Sequence, residues 1–464
     1  MRRTLVLALA AALLPSAAAH AEDLLQTYQL ARTGDPQLAA AESGRLVTRE
    51  GAVQARALLL PQLDGSATLQ RSRSTGPSTQ TALDAIGLPI GTIPGESETE
   101  RRSRTYGINL DQAVFDYSRI SRLRSQDTLS RAADFQLRSA GDSLVTRTSQ
   151  AYFNVLVAIE TLAAAEASET ALKKQFDFAS KRLEVGLAPI TDVHEARAQY
   201  DAARANTILA RNAVRDAYQA LVQITGTPVA NLKGLPDDFQ PVLPAQQDAD
   251  AWVATAIENN PSLKAQRASL DAAEANVATA RSGHYPTLGL RASYGKALPG
   301  VFDPPLVGAN DASTTVGVSL SIPIFSGFAT QSNVRSSLAQ RDATADLVEQ
   351  TRRSIERSTR GAYQALVAGI SEVEARRLAL VSAQSAYEAS QVGLEVGTRT
   401  VLDVLNNQRT LFSAQQAYAQ AKYNFLQSRL LLEQAAGTLD VADLEDVNRQ
   451  LTTDESLAQA LPAR

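Results

Sequence analysis

Two hydrophobic patterns alternate along the chain, and the alternation happens twice. Ser118 to about Arg182 and Gln331 to about Leu394 contain no proline and read as single helices. At about 1.5 Å per residue each is roughly 100 Å long, more than a globular domain needs and suited to a tube or a coiled coil. The returning helices carry a seam. Tyr200, Ala203, Thr207, Ala210, Val214, Ala217, Leu221 and Ile224 follow strict 3,4 spacing, and Leu411, Ala414, Tyr418, Ala421, Phe425, Ser428, Leu432 and Ala435 repeat it 211 positions later. That is heptad packing, with small residues that let helices approach closely.

Between helices the period falls to two. Leu63, Ala67 and Leu69 alternate with polar or small residues, as do Tyr106, Ile108, Leu110 and Val114. Leu288, Leu290, Ala292 and Tyr294 form a third run, and Val316, Val318, Leu320, Ile322 and Ile324 a fourth. Such runs fit either an antiparallel sheet on a soluble core or membrane strands with a wet interior; about 9–11 residues suffice to cross a bilayer when tilted. Ser72 to Arg104 and Gly295 to Thr314 are rich in Ser, Thr, Gly and Pro and read as loops.

Each long helix stops at a glycine and restarts at once: Val185-Gly186-Leu187-Ala188-Pro189-Ile190-Thr191-Asp192-Val193, and Val396-Gly397-Thr398-Arg399-Thr400-Val401-Leu402-Asp403-Val404-Leu405. Gly closing one helix and Pro or Thr opening the next marks a helical reversal. Gly186 and Gly397 lie 211 positions apart, as do Asp192 and Asp403. The chain is therefore duplicated. Short helix, Pro-containing turn and longer helix over Asp23 to Leu60 are repeated over Asp250 to Arg281, and the halves differ mainly in the segment joining the strands.

Composition narrows the function. Arg2 and Arg3, the apolar run Thr4 to Leu14, and Ala19-His20-Ala21 form a signal peptide over 1–21, predicting export and a mature start at Glu22. No run reaches the roughly 20 apolar residues of a spanning helix. The chain has no cysteine, which removes disulfides, thiolate metal sites and an acylated N-terminal cysteine, so the protein is expected not to be lipidated. A net charge of −4 argues against nucleic acid. His194-Glu195 opens like a zinc-protease motif, but position 198 is Ala and the second ligand is missing. No nucleotide-binding or hydrolase fingerprint appears, so neither an enzyme nor a cofactor or metal is expected.

The turn Val396 to Leu405 resembles the periplasmic turn of the TolC family of outer-membrane efflux channels. Leu59-Leu60-Pro61-Gln62-Leu63, Leu320-Ser321-Ile322-Pro323-Ile324-Phe325-Ser326-Gly327 and Val193-His194-Glu195-Ala196-Arg197-Ala198-Gln199-Tyr200 resemble the family too, in its order and spacing. The resemblance covers nearly all of the mature chain. It implies a mainly α fold with a small β part: long antiparallel coiled-coil helices forming a periplasmic tunnel, and four strands per protomer in a shared twelve-stranded transmembrane barrel. Four strands cannot close a membrane barrel alone, which agrees with a homotrimer.

The implied divisions are periplasmic helices over 22–60 and 250–283, barrel strands with extracellular loops over 61–117 and 284–326, and long helices with turns over 118–226 and 327–437. A linker at 227–249 is expected on the outside of the helical body, and a polar, partly disordered tail over 438–464. The implied function is the exit duct of a tripartite efflux pump or type I secretion system. Its implied partners are outer-membrane lipid, a periplasmic adaptor and an inner-membrane pump of RND, ABC or MFS type. The alternative is a structural coiled-coil envelope protein without a channel.

By the same resemblance Thr191, Asp192 and Arg399 are gate residues, and Asp403 belongs to an acidic entrance ring. Two positions depart from the family: Leu394 stands where a gating tyrosine is found, and Asn406 where a second entrance carboxylate is found. Thr400-x-x-Asp403 also reads as a capping box, a role compatible with setting the potential of the entrance.

Overall fold

The computed structural model describes residues 23–83, 86–187, 189–229, 231–236, 238–244, 248–299 and 312–456. The expected signal peptide, Glu22, Ala188, most of the second strand connection and the last eight residues of the tail lie outside them. The chain divides into two compact units: residues 46–131 with 268–346, and the remainder.

The first unit holds a four-stranded antiparallel sheet. Its strands are β1 (Gln62–Leu83), β2 (Pro89–Phe115), β4 (Thr287–Pro299) and β5 (Ala312–Ser321), in the order β1-β2-β4-β5. Leu63 pairs with Leu110, Ile108 with Tyr294, and Ala292 with Val316, so the predicted apolar positions share one face. That face is uncovered: Leu63 is 69% exposed and Val316 70%. The opposite face carries polar contacts, including an Arg291–Asp111 ion pair at 2.7 Å. Within the chain, β1 and β5 each have one unpaired edge.

Two expectations about this sheet need correction. Ser72 to Arg104, read as a loop, is a β-ribbon, with β1 and β2 paired from Gln62↔Asp111 out to Leu83↔Pro89. Ladder hydrogen bonds need backbone groups and no apolar alternation. Pro77 and Pro94 lie where the ribbon has only two strands, so each strand has a free edge that tolerates a missing donor. Strand β5, in contrast, stops at Ser321. Ile322 and Ile324 continue the alternation but leave the ladder, flanking Pro323, which has no N–H to give.

The rest of the chain is mainly helical. Helix α1 (Leu24–Gly34) opens with a capping box made by Asp23 and Gln26. Helix α2 spans Pro36–Ala57, and α5 (Ala249–Asn259) with α6 (Pro261–Arg281) repeat the pair. The long helices are α3 (Tyr117–Glu184) and α7 (Ala329–Glu395), and they return as α4 (Ile190–Thr225) and α8 (Val401–Ala436). On the predicted seam Ala203, Thr207, Val214 and Leu221 are buried on α4, and Leu411, Tyr418, Ala421, Phe425 and Leu432 on α8.

Helix α8 is also buried beyond its seam, at Tyr423, Leu426 and Leu430. The linker and the tail belong to the same body. Strand β3 (Asn231–Gly234) pairs with β6 (Thr453–Ser456), and α9 spans Val441–Asn448. The linker, expected on the outside, sends Val229, Leu232, Leu235 and Phe239 into the core. Its backbone polar groups are matched there: the Tyr152 hydroxyl accepts the Lys233 N–H at 2.7 Å, and the Tyr423 hydroxyl accepts that of Leu235 at 3.2 Å. Glu160 in turn accepts the Tyr423 hydroxyl at 2.8 Å and pairs with buried Lys422 at 3.3 Å. Among the described residues no helix is long and apolar enough to cross a membrane.

Candidate functional site: the paired helical turns

Both turns end their first helix in the same way. Leu187 N–H bonds to Arg182 C=O at 2.8 Å and Gly186 N–H to Leu183 C=O at 2.9 Å; Thr398 bonds to Gly393 at 2.8 Å and Gly397 to Leu394 at 3.2 Å. These are Schellman closures, which need a left-handed residue at the glycine position. Gly186 has φ +75° and Gly397 φ +78°.

The restarts differ. Pro189 caps α4 without a side-chain bond. Thr400 caps α8 through a full box: its hydroxyl accepts Asp403 N–H at 3.2 Å, while the Asp403 carboxylate accepts the Thr400 N–H and hydroxyl, both at 2.9 Å. Those bonds, the backbone one foremost, hold the Asp403 carboxyl below the usual carboxylate range, and the charge of Arg399 adds to the effect.

The Gly393 carbonyl also accepts Arg399 N–H at 3.1 Å and the Thr398 hydroxyl at 3.2 Å. A Cβ on Gly393 would lie 2.6 Å from Arg399 Cγ. This residue was missed in the sequence; its only signal was a glycine inside a helical pattern one turn before the break.

Leu394 packs inward against Leu172, Ala203, Val401 and Leu405, a small apolar cluster drawn from all four long helices. Leu394 thus helps to tie the two hairpins together near their turns. Phe176 and Tyr200 stack nearby, 6.2 Å apart and nearly parallel. Thr191 and Arg399 are exposed, and Asp192 is partly exposed in the first turn of α4. Among the described residues no ion pair joins Arg399 to Asp192 within the chain. Asn406 is exposed and accepts a long bond from Arg409 at 3.4 Å. The site therefore offers two closely held reversals with charge on their outer surface, and no group of three or more metal-ligating side chains among the described residues.

A sequence model of the outer membrane efflux protein family matches residues 27–227 and 252–438, both halves of the duplication. The chain belongs to that family. It is 34% identical to the outer membrane protein TolC of Escherichia coli (strain K12), over 96% of this chain and 90% of that protein. It is 31% identical to the alkaline protease secretion protein AprF of Pseudomonas aeruginosa, over 95% and 90%. The crystal structure of the Campylobacter jejuni CmeC outer membrane channel shares the fold with a TM-score of 0.76 at 18% identity, covering 93% of this chain and 90% of that one. The protein is an outer-membrane duct for efflux or secretion and not an enzyme, which sets aside the envelope-rod alternative.

Proposed function

We propose that three copies of the chain close one twelve-stranded barrel in the outer membrane and continue it as a helical tunnel through the periplasm. The observation that carries this reading is the sheet: one exposed apolar face and two unpaired edges in each chain. Lipid tolerates neither an open edge nor an unmatched ladder, whereas neighbouring copies satisfy both. Residues 61–117 and 284–326 are assigned to the barrel. The hairpins over 118–226 and 327–437 are assigned to the tunnel, with their turns at the periplasmic end. The signal peptide over 1–21 directs export, and a cysteine-free chain is left unlipidated.

Thr191, Asp192 and Arg399 act as the gate in this reading, with polar contacts between turns of neighbouring hairpins in the trimer. Asp403 sets a negative potential at the entrance, and Asn406 leaves that potential weaker than two carboxylates would. A periplasmic adaptor and an inner-membrane pump of RND, ABC or MFS type supply the energy. Light scattering on detergent-extracted protein tests the architecture: a trimer is expected, and a monomer would overturn it. Planar-bilayer recording tests the duct, which should conduct in discrete steps.

A further inference from the structure

The polar face of the sheet has a charge pattern of its own, and what it does in the duct rests on the barrel reading above. All four strands pair between Thr287 and Lys296 of β4. Strand alternation gives each strand one set of positions on the polar face there. Those positions are small or uncharged except at Asp64, Asp111 and Arg291. Asp111 is opposite Arg291. Asp64 lies two positions along β1 from Gln62, the residue opposite Asp111, so the two carboxylates are diagonal neighbours roughly 7–8 Å apart.

The three charges do not cancel. Arg291 gives its Nε–H to Asp111 at 2.7 Å, and the pair stays open, 76% and 44% exposed. Gly317, opposite Arg291 on β5, adds no side chain over the guanidinium, and the space of an added Cβ is empty. Asp64 is exposed, and among the described residues no ion pair reaches it. One negative charge per chain is left over. A concavity of about 500 Å³ opens on this face, lined by Gln62, Asp111, Arg291, Thr315 and Ser319. Asp116 and Arg119 also line it, but they pair with each other at 3.2 Å.

We propose that Asp64, Asp111 and Arg291 form a second charge-selective girdle, at the helix end of the barrel, which favours cationic cargo. A ring of like charge in a pore raises the local concentration of the opposite sign. Three copies would repeat the surplus carboxylate around one axis, on a wall otherwise made of Ser, Thr, Gly, Asn and Gln side chains. Unlike the turns, these residues sit on paired strands, so the girdle stays in place when the entrance opens.

The test is the cation-to-anion permeability ratio of the full-length protein in planar bilayers, from reversal potentials in a salt gradient. It is measured at about 10 mM salt, where the screening length is about 30 Å. Each variant is made in wild type and in Asp403→Asn, so that the entrance charge does not mask the girdle. Asp64→Asn should lower the ratio about twofold, and Arg291→Gln, which releases Asp111, should raise it about twofold. Lys296→Gln changes a charge on the apolar face and should leave the ratio unchanged. All variants should converge at about 1 M salt. Unchanged ratios for Asp64→Asn and Arg291→Gln would overturn the proposal, as would shifts of the same sign or a larger response to Lys296→Gln. Asp64→Asn alone keeps the test valid if Arg291→Gln does not assemble. Oligomeric state is read on the same samples. A monomeric or non-conducting wild type refutes the barrel reading, whereas a conducting trimer with unchanged ratios refutes only this inference.

Discussion

Gly393 and Arg399 meet across the second turn: the Gly393 carbonyl accepts the Arg399 N–H at 3.1 Å, and the Arg399 side chain covers the space a Cβ would need. The close atoms are Cγ and Cβ, at the base of the side chain, where it cannot swing aside cheaply. Gly393→Ala should therefore push Arg399 out of place at a cost of about 1–3 kcal/mol. Raised single-channel conductance at normal trimer level is the expected sign, and unchanged conductance and melting temperature would show that the contact holds nothing.

Gly186 and Gly397 make a different demand. Nothing lies within 4 Å of an added Cβ at either, so the cost of substitution is conformational alone. Left-handed backbone costs an ordinary residue roughly 1–2 kcal/mol. Gly397→Val should lower trimer stability and export, and Gly397→Asn should restore most of both because asparagine tolerates this region. Full activity in the valine variant would refute the turn geometry.

Asp403 has one observed role and one proposed role, and the two are separable. Its oxygen completes the cap of α8, and its charge faces the proposed entrance. Asp403→Asn keeps an acceptor oxygen but removes the charge, whereas Asp403→Ala removes both. Cation selectivity in planar bilayers should fall in both variants at low salt and converge with wild type at high salt as screening grows. Helix stability should fall mainly in the alanine variant. Selectivity unchanged at low salt would leave only the cap.

The latch proposed between turns predicts a conductance change. Arg399 can make charge-assisted bonds to a carboxylate and a hydroxyl at once, and Leu394, partly buried against its apolar cluster, has no hydroxyl to add. Arg399→Ser with Asp192→Ala should raise conductance and sensitise cells to a large, normally excluded antibiotic. Wild-type conductance at normal trimer level would remove these residues from the gate.

Glu433 makes stability depend on pH. Burial, then the charge of Asp443, pushes its carboxyl from an ordinary 4.5 to about 8, against the pull of Arg429. Below pH 4.5 both folded and unfolded chains hold the proton, and the group costs nothing. Between 4.5 and 8 only the unfolded chain releases it, so stability falls across that window, and above 8 the loss is complete. Glu433→Gln should melt higher than wild type at pH 8, by an amount on the order of a few kcal/mol, and nearly equal to it at pH 5. Parallel melting curves at the two pH values would contradict this.

The sequence by itself determined the duplicated chain, the long helices with their 3,4 seam, the glycine reversals and the apolar face of each strand pair. All of these are properties of neighbouring residues: a period, a left-handed glycine, a proline that cannot continue a helix. What depends on partners far along the chain was decided only by the tertiary structure. The ribbon from Ser72 to Arg104 is held by backbone bonds that leave no side-chain period. The linker's Leu232 and Leu235 reach the core because Tyr152 and Tyr423, far away in sequence, satisfy the backbone beside them. Leu394 packs against the cluster of Leu172, Ala203, Val401 and Leu405 from other helices, a contact its own stretch of sequence does not reveal. Gly393 became legible only when the chain folded back and laid Arg399 against it.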